Sequence, residues 1–239
     1  WCETNIPLKE DLNTAQGRNI FGISDDTLST MKFTEIKRLS GNDASCLNLN
    51  HITSPPILGI DPADLIAKEA FSFTKGISDK KIKNNWQYLN FSTGNNTIYG
   101  IADQTVLDWG LKISVGDTLF LRAETGQPLK IIIAAGLQSS VFQGYVIIGK
   151  EYFTKYFPSV SGSSVLLVDG DPVQTKLFIS TLTERLANFG INIERTNERL
   201  ASFYEVTNTY LSVFGVFGAL GMIIGIAGRK ICNGLRILA

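Results

Sequence analysis

Residues 206–228 run twenty-three positions without a formal charge, V-T-N-T-Y-L-S-V-F-G-V-F-G-A-L-G-M-I-I-G-I-A-G, after some two hundred residues of mixed sequence. A helix rises about 1.5 Å per residue, so such a run is long enough to cross a hydrocarbon layer of about 30 Å. Apolar core segments of water-soluble domains are commonly about half as long. The chain therefore reads as a soluble domain joined to a membrane-spanning helix, with membrane lipids as one of its partners. The opposing reading, a buried helix of a soluble protein, draws on Thr207, Asn208, Thr209 and Ser212 at the start of the run.

The glycines favour the membrane. Gly215, Gly218, Gly221, Gly225 and Gly228 would each cost about 1 kcal/mol relative to alanine in an exposed helix in water. Inside a bilayer, small residues let neighbouring helices approach closely, and Gly221-Met-Ile-Ile-Gly225 has the GxxxG spacing. With Ala219 they make a smooth surface, so Gly215, Gly218, Gly221 and Gly225 are the expected packing positions against other helices.

The preceding residues, from Asn197 through Phe203 and Glu205, keep helical character and have no proline between them and the run. One continuous helix of about thirty residues would be some 45 Å long. Its first part, with Asn197, Phe203, Asn208 and Tyr210, is expected to act as a stalk. Arg229, Lys230 and Arg236 follow the run without an acid, whereas Arg195 and Arg199 precede it among Glu194, Glu198 and Glu205. The bias of Lys and Arg leans towards a cytoplasmic C-terminal side, which would put residues 1–205 outside the cytoplasm.

Composition narrows the function. In 239 residues, 44% are apolar and the 22 basic side chains are balanced by 22 acidic ones, so one sizeable core or two smaller ones can form. No basic cluster calls for nucleic acid as a partner, and 80–83, Lys-Lys-Ile-Lys, reads as a solvated face. The chain opens on Trp1-Cys2 with no export signal in view and reads as a piece of a longer protein. Cys2, Cys46 and Cys232 lack metal-site or redox spacing; Cys2 and Cys46 could pair outside the cytoplasm, or Cys46 could be a free buried thiol.

Along the chain, Ser24-Asp25-Asp26 with Leu28, Met31, Ile36 and Leu39 predicts a capped amphipathic helix ending at Gly41. Short strands are predicted at 45–50 and 57–60. Asp61-Pro62 is an N-cap followed by proline at the first helical position, starting a helix to Phe71. Residues 80–89 are a further helical candidate, and Gly94-Asn95-Asn96 turns the chain into a strand at 97–101. Residues 118–123 and 129–135 flank a turn and predict an antiparallel hairpin. Strands at 145–149, 164–168 and 191–194 complete the set, with a helix after Asp171-Pro172 that closes at Gly190.

Chemistry is sparse. His51 is the single histidine, beside a proline turn, and supports neither a metal site nor a catalytic base. No nucleophile elbow, P-loop or dinucleotide fingerprint is present, so any ATP is expected to be handled by a partner. The pairs Asp25/Asp26 and Asp169/Asp171 sit where carboxylates cap backbone N–H groups. Trp86, Trp109, Tyr99, Phe142 and Tyr145 could line a pocket, but aromatics in such elements usually form core. No catalytic residue, metal ligand or cofactor site is expected, and the chain is not expected to be an enzyme.

Two stretches together resemble a family. Trp109-Gly-Leu-Lys-Ile-Ser-Val-Gly-Asp-Thr-Leu119, the hairpin, Ala135-Gly-Leu137 and Tyr145-Val-Ile-Ile148 resemble the extracytoplasmic domain of FtsX-like, MacB-type permeases of ABC transporters. Phe203-Tyr-Glu-Val-Thr-Asn-Thr-Tyr-Leu-Ser-Val-Phe214, leading into 218–227, looks like the helix that re-enters the membrane at the start of the FtsX-like core. The resemblance covers residues 45–228. It implies an α+β fold, with a mixed or antiparallel sheet, flanking helices and a long C-terminal helix. The divisions would be a domain at 1–195, a stalk and transmembrane helix at 196–228 and a short tail at 229–239.

The resemblance also implies an inner-membrane permease subunit whose extracytoplasmic domain moves as a partner ATPase cycles, acting on an exported or extracted substrate or on a periplasmic partner. A cognate ABC ATPase, the remaining permease helices and a second permease copy are the implied partners. Two alternatives stand beside it. One is an extracytoplasmic binding or scaffold domain whose helix is a simple tether; the other is an anchored hydrolase, whose cleft of acids, serines or His51 the sequence does not display.

Overall fold

The computed structural model describes residues 1–23, 31–41, 54–69, 71–78 and 82–237, as two units, Trp1–Thr196 and Asn197–Ala239. The first unit is α+β. In chain order it contains β1 (Cys2–Leu8), α1 (Ala15–Ile20), β2 (Lys32–Leu39), β3 (Ile57–Ile60), α2 (Pro62–Lys68), β4 (Phe73–Gly76), β5 (Ser92–Gly94) and β6 (Thr97–Asp103). It continues with β7 (Thr118–Arg122), β8 (Pro128–Leu137), β9 (Val146–Gly149), α3 (Lys150–Tyr156), β10 (Ser163–Asp169), α4 (Thr175–Arg185) and β11 (Asn192–Ile193).

These strands form one mixed sheet in the order β11-β1-β10-β2-β3-β9-β6-β8-β4, with β5 attached to β6 and β7 to β8. The pairs β3–β9 and β6–β8 are parallel and the others antiparallel. Every residue of β3 and β9 is buried, which is why their sequences, Ile-Leu-Gly-Ile and Val-Ile-Ile-Gly, are apolar runs without alternation. Gly59 gives β3 its covering helix: a Cβ there would lie 2.5 Å from the ring of Phe153 on α3.

Two cores result. One gathers Ile98, Ile131, Ile148 and Phe153 around the β3–β9–β6–β8 half. The other gathers Cys2, Leu12, Phe33, Phe178 and Leu182 where α4 covers β1, β10 and β2. Burial pushes the Cys2 thiol up to about 11, so it is an inert core side chain, and it is free.

Local signals are realised where they concern caps and turns. Asp61 accepts a hydrogen bond from Ala63 N–H with Pro62 at the first turn, although this helix stops at Lys68, short of the expected Phe71. Asn95 and Asn96 have φ of 49° and 56°, the paired positive values of a type I′ hairpin between β5 and β6. Asp171 accepts from Val173 N–H, and the segment closes at Gly190 with φ of 64°. The expected hairpin is β7–β8, in register from Thr118 opposite Ile132 to Arg122 opposite Pro128.

One expected helix is a strand in part, and another is tighter than expected. Of the helix expected up to Gly41, residues 32–39 are strand β2, held between β10 and β3. The buried residues of β2, Phe33, Thr34 and Ile36, do not alternate, so the strand carries no period-two pattern in the sequence. The rest of that helix, residues 24–30, lies outside the described residues, as do the strand at 45–50, Cys46, His51 and Asp25/Asp26. Within 80–89 the described helical part is a 3-10 turn over Asn85–Asn90.

The second unit is helix α5, Thr196–Ile237, forty-two residues and about 63 Å long. It joins the stalk and the uncharged run without a break. Where the sequence suggests a separate tail after Gly228, the backbone stays helical to Ile237.

Candidate functional site

The aromatic side chains considered as pocket walls are mostly core. Trp86 and Phe142 are buried and meet with ring centroids 6.4 Å apart; Phe71 packs on both. Tyr99 stacks obliquely on Tyr88, and Tyr145 lies beside Trp1. Trp109 is the exception, 77% exposed on a π-helical turn, Val106–Leu111.

Buried carboxylates in the first unit are engaged. Asp103, fully buried at the end of β6, accepts from Thr105 N–H (3.0 Å) and Oγ1 (2.7 Å) with one oxygen. The other oxygen accepts from Ser140 N–H (3.1 Å) and Oγ (2.9 Å), and Gln143 donates to Thr105 Oγ1. Four donors around one carboxylate leave it no lone pair aimed at a substrate; the node ties the end of β6 to the loop after β8. Of the other acidic pair, Asp169 makes an ion pair with Lys68 and Asp171 caps the chain before α4.

A second polar cluster holds the β1–α1 loop against β2. The Asn13 amide donates to Phe33 C=O and accepts from Phe33 N–H, both at 2.9 Å, so a side chain stands in for a neighbouring strand. Leu12 N–H donates to Glu35 Oε1 at 3.1 Å. Burial pushes the Glu35 carboxyl up to about 7; the nearby Asp11 carboxylate adds to the rise, while the Leu12 N–H and Lys150 oppose it. Asp64 is raised as well, through burial and then through Asp61. Among the described residues, no group of three or more His, Cys, Asp or Glu is placed to hold a metal ion.

A cleft of about 310 Å³ opens beside α4, with Met31, Val168 and Phe178 as apolar walls and Asp171, Thr175 and Arg195 among its polar ones.

The second unit carries the distinctive surface. Thr209–Ile226 is long and apolar enough to cross a membrane, and none of it is buried within the chain. Leu211, Phe214, Phe217, Met222 and Ile223 are each more than 60% exposed, pointing to several sides of the helix. At 3.6 residues per turn, Gly215, Gly218, Gly221 and Gly225 fall within an arc of about 120°. Nothing lies within 4 Å of where their Cβ atoms would be, so this face is open to a neighbour.

The expected stalk residues Asn197, Phe203, Asn208 and Tyr210 all lie on the same helix. Phe203 and Tyr210, one heptad apart, project to the side of Gly221. Arg199 sits 5.3 Å from the Phe203 ring centre, and Thr209 Oγ1 returns a hydrogen bond to Glu205 C=O. The spacing of these glycines is read directly from the sequence. The Asp103 node and the Glu35 cluster were missed, because their partners lie 37 and 23 residues away in the chain.

No protein-family model matches the chain, and no curated protein sequence matches it. Among solved structures, the chain is similar to the extracellular domain of the noncanonic ABC-type transporter YknZ from Gram-positive bacteria. The identity is 13% over 82% of this chain and 100% of that one, with a TM-score of 0.37. It is also similar to the periplasmic region of MacB from Actinobacillus actinomycetemcomitans, at 12% identity over 74% of this chain and 73% of that one, with a TM-score of 0.35.

Proposed function

We propose that this chain is the extracytoplasmic domain and adjoining membrane helix of an FtsX-like, MacB-type permease subunit of an ABC transporter in the inner membrane. The observation that carries the reading is helix α5. Its eighteen-residue apolar stretch, Thr209–Ile226, is exposed along its whole length and includes a glycine face with open space beside it. An exposed apolar helix is stable in hydrocarbon, where lipid and other helices cover it. The α+β unit and the sequence resemblance carried by 109–119, 135–137, 145–148, 203–214 and 218–227 support the same reading.

The role is mechanical. ATP hydrolysis by a partner ATPase changes helix packing at Gly215, Gly218, Gly221 and Gly225, and the first turns of α5, Asn197 to Tyr210, pass the change to the sheet unit. The moving domain acts on an exported or extracted substrate or on a periplasmic partner, with residues 1–205 outside the cytoplasm. The chain performs no chemistry of its own in this scheme.

The test is the double substitution Gly221→Leu with Gly225→Leu in the intact transporter. Two leucines on the close-approach face should abolish ATP-dependent transport while domain unfolding, followed by tryptophan fluorescence, stays unchanged. Unchanged transport would overturn the mechanical reading, and would point to the tether, for which an unrelated polyleucine helix also preserves function.

A further inference from the structure

The hairpin β7–β8 has one face in the core and one in solvent. Leu119 and Leu121 pack against the core beside the buried Leu129 and Ile131. The opposite face presents Phe120, 67% exposed, with Arg122 and Lys130 exposed beside it. The Lys130 ammonium sits 5.9 Å from the centre of the Phe120 ring, directly across the ladder.

The backbone of β7 is as open as its side chains. Ile133 N–H donates to Asp117 C=O and Ala123 N–H to Gln127 C=O, which fixes the alternation of the ladder. Residues 117, 119, 121 and 123 therefore face β8, while Thr118, Phe120 and Arg122 turn their N–H and C=O groups outward. Pro128, opposite Arg122, has no N–H to give, as this alternation requires. Among the described residues, β7 pairs with β8 alone.

A sheet edge that stays solitary is ordinarily blunted by a charge or a proline at its centre. Here the central residue is an exposed phenylalanine. The cations Arg122 and Lys130 stand beside it, while the neighbouring carboxylates of Asp117 and Glu124 are turned to Ser114 N–H and Ser159 N–H. The ion pairs Arg38–Glu3 and Lys68–Asp169 involve neither Arg122 nor Lys130.

We propose that the outer edge of β7 accepts an extended acidic segment of a partner protein as an added strand, with Thr118, Phe120 and Arg122 supplying the main-chain bonds. Side chains on one face of the added strand lie beside Phe120, Arg122 and Lys130 and those on the other continue the apolar face of Leu119 and Leu121, so the partner's signature is acidic and apolar residues in alternation. The site stands whether or not α5 crosses a membrane.

The probe is a fluorescein-labelled, N-acetylated eight-residue peptide of alternating valine and glutamate, added to the full chain in a neutral detergent. Saturable binding is expected, with slowed hydrogen exchange at the Phe120 amide, and the valine–lysine counterpart should bind at least about tenfold more weakly. Phe120→Pro deletes an outward N–H and leaves the β7–β8 bonds in place, so affinity should fall by about tenfold or more. Arg122→Glu, an exposed change that leaves the fold alone, should weaken the glutamate peptide and strengthen the lysine one even if the proline variant fails to fold. Equal binding of the two peptides, binding of neither, or full affinity in Arg122→Glu overturns the proposal. So does a dimer by sedimentation that Phe120→Pro dissolves while the glutamate peptide does not compete, since the occupant would then be a second copy.

Discussion

Strand β9 and the middle of helix α5 are both apolar, and the chain treats them in opposite ways. Val146, Ile147 and Ile148 are fully buried, reached by β3 on one side and β6 on the other. Ile223, Ile224 and Ile226 carry the same kind of side chain and are about 60% exposed. The difference is one of partners. A strand brings its hydrogen-bonding edges to its neighbours and is covered as a consequence, whereas a helix satisfies its backbone internally and needs cover for its side chains alone. Apolar surface exposed on a helix is what lipid or a neighbouring helix would cover.

That contrast can be broken from either side. Phe153→Ala empties the space over Gly59 in the sheet unit and should cost about 3–5 kcal/mol in urea unfolding. The three tryptophans, Trp1, Trp86 and Trp109, all lie in this unit, so their fluorescence reports its unfolding. Partitioning of the chain into lipid vesicles should not change. Ile223→Lys is the converse: a charge at the middle of the apolar stretch should oppose insertion by about 2.5–3.5 kcal/mol, read as loss of vesicle-bound protein, with the urea midpoint unmoved. If both variants shifted both measurements, the two regions would not be separable in the way described.

The smallest effect sharpens the comparison within the sheet unit. Between the ordinary carboxylate value and about 7, folded Glu35 holds a proton that the unfolded chain has released, so stability falls as pH rises through that window. Glu35→Gln keeps an acceptor for Leu12 N–H and removes the charge. It should flatten this part of the pH profile and raise stability at pH 8 by on the order of 1 kcal/mol, after allowance for solvent screening. An unaltered profile would show that Glu35 is not the titrating group.

Segments whose information is local were readable in the chain. Asp61-Pro62, Gly94-Asn95-Asn96 and Asp171-Pro172 act within two or three residues of themselves, and each appears as a cap or turn. The β7–β8 hairpin is equally local. Strand β2 was not readable, because what makes it a strand is β10, more than a hundred residues later, together with β3. The amide of Asn13 on Phe33 and the donors around Asp103 are likewise products of chain return.

The sequence alone determined the uncharged length of 206–228 and the spacing of its glycines, because a helix needs only its own periodicity to place them on one side. It also determined the turns, whose backbone angles depend on the residues that adopt them. Tertiary structure decided which apolar residues found cover, which carboxylates became buried nodes and which strand edge stayed open. Those outcomes depend on distant segments arriving together, and local periodicity carries no record of that meeting.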